Sequence, residues 1–231
     1  MSEPDSPQPP PSNLRALMAI PILFAAIALG GALVMMRRMG GEHAASGERL
    51  AVRMVGPCAS EARDVVYRRA DQIGLGEPVL DLAGEALTLT ATMPGLPDDR
   101  TAIPALLSRR GAWTISSADG DLASEDDVAK ASVNLDPSGA PYAEVQLSAP
   151  AAARVTEALR AGKAVDVSLD GVRVVHQEGG DLEGDKLTLT PDDGEPRARM
   201  RQAADWAILL SAGAIPCELR VESVAPAPGA G

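Results

Sequence analysis

The chain has 231 residues, 45% of them apolar, a formal net charge of −11 and only 2% aromatic residues. Beyond Phe24 the only aromatic residues are Tyr67, Trp113, Tyr142 and Trp206, so an acidic surface without stacking platforms excludes nucleic acid and argues equally against sugars. The two histidines, His43 and His176, sit in no recognisable triad or elbow. They leave no catalytic residue and no His/Cys metal set to name.

From the start, residues 1–13 are rich in Pro, Ser and acid and read as a disordered tail. Ala16 to Met36 carries no charge and is bracketed by Arg15 and by Arg37-Arg38. That length suits a helix crossing the ~30 Å hydrocarbon layer. A transmembrane helix over 14–38 is therefore expected, with a cleaved secretory signal ending near Ala44-Ala45-Ser46 as the competing reading. The balance of Arg15 against Arg37, Arg38 and Arg49 mildly favours a cytoplasmic C-terminal domain. After a linker at 39–48, about 180 residues remain, enough for one domain or two small ones.

Leu50 to Val55 reads as a strand, and Glu61 to Ile73 follows the helical period, with Ala62, Val65, Val66, Arg69 and Ile73 on one side. Val79–Leu82 and Leu87–Thr92 form a hairpin, Asp98 opens a helix to about Arg110, and Gly111–Ser116 is the next strand. The order β-α-β-β-α-β is that of a ferredoxin-like sandwich. Ser117 to Asp127 reads as a hinge. Ala131–Leu135 pairs with Tyr142–Leu147, Pro150 opens a helix to Arg160, and Val165–Leu169 and Val172–Val175 flank the turn Asp170-Gly171. Leu187–Thr190 adds a strand, Arg197–Ala212 a helix with Ala203, Trp206, Ala207 and Leu210 on one face, and Ile215–Val221 a last strand.

Cys58 and Cys217 are open to two readings. They close a disulfide over a long loop, which requires an oxidising compartment, or they are two small buried apolar residues. The acidic runs Glu125-Asp126-Asp127 and Asp192-Asp193 lack the ligand spacing of a calcium loop and read as solvated turns. No Gly-rich phosphate loop follows a strand, so no cofactor is expected and the chain reads as non-enzymatic.

Three stretches resemble the SecD subunit of the bacterial Sec protein-export machinery. Arg69-Ala70-Asp71-Gln72-Ile73-Gly74-Leu75-Gly76-Glu77-Pro78, followed by Met93-Pro94-Gly95, is similar to that family's "R-x-[DN]-x-x-G-[VL]-x-E-P" and "L-P-G". Leu169-Asp170-Gly171 resembles its "L-D-G" hairpin, and the run from Ala204 through Gly213 to Pro216 its helix-to-strand exit. The resemblance implies an α+β fold: one N-terminal transmembrane helix, then a ferredoxin-like α/β base with an inserted α+β head. The base would be 49–117 and 197–225, the hinge and head 118–196, and the tail 226–231. It brings the first and last soluble segments together, which strengthens a Cys58–Cys217 disulfide, and it places the domain in the periplasm on a single-pass inner-membrane protein. It also implies the Sec translocon or a SecD/SecF-like membrane protein as partner, with unfolded secreted polypeptides as the bound chain. SecD continues into further membrane helices beyond the point where this sequence stops, and Ala16–Met36 holds no ionisable residue, so no proton-coupled work is expected of it. A SecD-derived envelope scaffold or sensor is the alternative.

Overall fold

The computed structural model describes residues 48–93, 99–191 and 194–227. In chain order these form β1 (Glu48–Val55), α1 (Ala59–Ile73), β2 (Gly76–Ala83), β3 (Ala86–Met93), α2 (Asp99–Ser108), β4 (Trp113–Ser117) and β5 (Gly120–Ser124). There follow β6 (Val128–Leu135), β7 (Pro141–Leu147), α3 (Ala149–Arg160), β8 (Ala164–Leu169), β9 (Val172–Glu178), β10 (Lys186–Leu189), α4 (Pro196–Ala212) and β11 (Arg220–Pro226).

An α+β fold is what the sequence led us to expect, but the fold class needs correcting. Among the described residues no helix is long and apolar enough to cross a membrane. The longest, α4, has 17 residues and carries Arg197, Arg199, Arg201 and Asp205. Charges on that scale belong to an amphipathic helix with one buried face. The described chain is thus sheet-rich with four short helices and no transmembrane helix; residues 14–38, where one was expected, lie outside the described residues.

The strands form three antiparallel sheets. The first has the order β11-β1-β3-β2, the second β10-β7-β6 and the third β5-β4-β8-β9. The first is the strand order of a ferredoxin-like sandwich, but its fourth strand is not the expected Gly111–Ser116. That segment, as β4, pairs with β5 and β8 in the third sheet, and the end of the chain supplies the missing edge through β11. The last strand is also later than expected, because Ile215 to Leu219 is irregular and β11 begins at Arg220. The expected hinge at Ser117–Asp127 contains β5 and a short 3-10 turn.

Alternation explains the first sheet. Leu50, Val52 and Met54 of β1 point to the interior while Arg53 points out, and Leu87, Leu89, Ala91 and Met93 of β3 do the same beside them. Val52 and Leu89 face each other in register and both are fully buried, which is worth about 1.5–3 kcal/mol for each side chain. Helix α1 closes this core with Ala62, Val65 and Val66, and α2 with Ile103 and Leu107. A second core gathers Trp113, Ile115, Val145, Leu147, Val155, Leu159, Val165 and Val167 with Trp206, Leu209 and Leu210 of α4.

Candidate functional site

Two chain segments lead from the first sheet into the insertion and back: Arg109–Ala112 on the way out and Gly213–Ala214 on the return. Arg69, placed by the α1 period on the buried side, holds both. Its guanidinium donates to the carbonyls of Leu106 and Leu107 at 3.3 Å, to that of Arg109, to Arg110 at 3.1 Å and to Gly213 at 2.9 Å. Burial pulls its pKa down to about 10, so it stays charged at neutral pH. A buried charge is tolerable here because the C-terminal end of α2 offers it unpaired carbonyls and the negative end of the helix dipole. Arg68 does the same for α4, donating twice to Ala212, at 2.7 and 3.0 Å. Gly111 must be glycine: its φ is +71°, and a Cβ would stand 2.7 Å from the Arg69 Nη2.

The Asp170-Gly171 turn rests on the outgoing segment. Asp170 adopts a left-handed φ of 52°. Its carboxylate accepts the Ala112 amide at 2.9 Å and the Arg109 Nε at 2.7 Å, and its own amide donates to the Ala112 carbonyl at 2.6 Å. This fixes where the β8–β9 hairpin points. Among the described residues β9 is an edge strand of the third sheet, and its start lines a cavity together with the first half of α4.

Between β9 and α4 lies a cleft of about 580 Å³. Its strand wall consists of Val172, Arg173 and Val174, three consecutive residues, with none from β8. Ser168 pairs with Arg173 and Val167 with Val175, so Val174 is an extra residue in β9, and the break in alternation lets consecutive side chains border one cavity. The helix wall carries Arg197, Arg201 and Asp205, spaced by four, and Trp206 and Arg109 also line the cleft. Val172 is 64% exposed, an isolated apolar group at the mouth. Burial raises the Asp205 pKa above the usual carboxylate range, against the opposing pull of Arg201 and Arg109. A second cavity of about 340 Å³ shares Arg201 and Asp205 with the first and is otherwise lined largely by Ile73, Ile103, Leu106 and Ile208.

The residues singled out in the sequence lie elsewhere and shape the frame. Cys58 and Cys217 form a disulfide joining the start of α1 to the segment before β11, with Cα atoms 5.9 Å apart. Gly56 beside it admits no side chain, since a Cβ would meet the Glu218 carbonyl oxygen at 2.4 Å. Glu77 has a φ of 49° and, with Pro78, falls within the register shift of β2. Gly213 ends α4, Pro216 is exposed next to Cys217, and Pro94 and Gly95 lie outside the described residues. His176 is exposed on β9 and bonds Asp166 through Nδ1 at 2.6 Å, which raises its pKa. The cleft arginines went unnoticed in the sequence, although Arg197, Arg201 and Asp205 at helical spacing were the signal that a charged face of α4 had a purpose.

No family model matches the chain, and no curated protein is similar to it. Solved structures are, among them the following two. The crystal structure of SecDF in a super-membrane-facing form superposes with a TM-score of 0.61 at 18% identity, over 76% of this chain and 30% of that one. A structure of SecDF, described as a membrane component that enhances protein export, superposes with a TM-score of 0.57 at 18% identity, over 75% of this chain and 98% of that one. The chain thus spans less than a third of the first SecDF chain. These likenesses establish that residues of this chain fold as part of SecDF does.

Proposed function

We propose that this protein assists Sec-dependent export by holding extended secretory polypeptide in the slot between β9 and α4. The observation that carries the reading is the likeness to SecDF over three-quarters of the chain, at TM-scores of 0.61 and 0.57. The slot supplies a physical means, because an unfolded segment can satisfy its backbone on the open edge of β9. On this reading the protein works by binding and not by catalysis, beside the translocon or a SecD/SecF-like membrane protein. The Cys58–Cys217 bond fits a domain outside the cytoplasm, where disulfides persist.

A photo-crosslinking side chain at Val172, in cells exporting a stalled model secretory protein, tests this. The expected adduct joins the two chains. The same probe at Leu135, which is 58% exposed on the β6–β7 hairpin, serves as the control. Equal yields at both positions, or no adduct with either the secretory chain or the translocon at Val172, overturn the reading.

A further inference from the structure

We draw no further inference here: the strongest candidate, the cavity of about 340 Å³ between α1, α2 and α4 with Ile73, Ile103, Leu106 and Ile208 in its lining, is an unpartnered apolar groove, and nothing in the structure shows what covers it.

Discussion

Val52 sits opposite Val224 in the first sheet, so that sheet closes only when the two ends of the described chain meet. In the second and third sheets the pairs β4–β5, β6–β7 and β8–β9 are hairpins between chain neighbours. The two regions are accordingly held by different means. The first has a disulfide, a buried arginine and a glycine in close contact, all acting between distant segments. The insertion has short turns, surface ion pairs that include such distant partners as Lys163 with Asp119 and Lys186 with Glu144, and an edge strand at β9. Closing a long loop costs entropy before any contact rewards it, so the region that depends on distant pairing carries the fasteners. The cleft lies in the second region, beside an Asp170 turn that is itself tied to Arg109 and Ala112.

The largest effect that would test this contrast is removal of the fastener. Changing Cys58 and Cys217 to Ser should cost about 5 kcal/mol, the chain-entropy value for a loop closed between residues 159 apart. A urea melt followed separately by Trp113 and Trp206 fluorescence is dominated by the insertion core, so the loss should be clearest by amide exchange in β1, β3 and β11. If those strands keep their protection, the disulfide is not what closes the sheet. Alkylation in intact cells should leave both cysteines unlabelled until reduction, and free thiols reached only after lysis would place the domain in a reducing compartment.

Arg69→Ala should come next, at about 3–5 kcal/mol, because five carbonyls lose a charged donor at a buried site. Unlike the cysteine change, it should loosen both regions together, since Arg69 touches both crossing segments. A loss confined to one region by amide exchange would show that the two are held independently. Asp170→Ala is expected to cost about 1–2 kcal/mol by releasing Arg109 and the Ala112 amide and by placing Ala in a left-handed turn. Asp170→Asn should recover most of this, because Asn tolerates that backbone and keeps an acceptor.

The smallest effect concerns the cleft. Burial raises the Asp205 pKa, so its ionisation opposes folding: stability from this group is greatest below the raised folded pKa and falls as pH climbs through it. Asp205→Asn should therefore stabilise the protein slightly at pH 7, and the gain should shrink as pH falls into the carboxylate range. Urea midpoints at several pH values check the sign; a gain that grows on acidification would reverse it.

The local elements were legible because their causes are local. The α1 period put Arg69 on the buried side, Asp170-Gly171 marked the β8–β9 turn, and the helix expected from Pro150 to Arg160 matches α3 within a residue. Assignment of strands to sheets was not. Trp113–Ser117 has the pattern of a half-buried strand and fits either core equally, and only the end of the chain, arriving as β11, excluded it from the first sheet. The slot escaped for the same reason, as its walls come from Arg109, from β9 and from α4, which no sequence spacing relates. The sequence by itself thus determined the periods, turns and two cysteines, because each depends on neighbouring residues and backbone sterics. Only the tertiary structure decided which strand completes which sheet and which arginines converge, because those depend on which distant segments bury the most surface together.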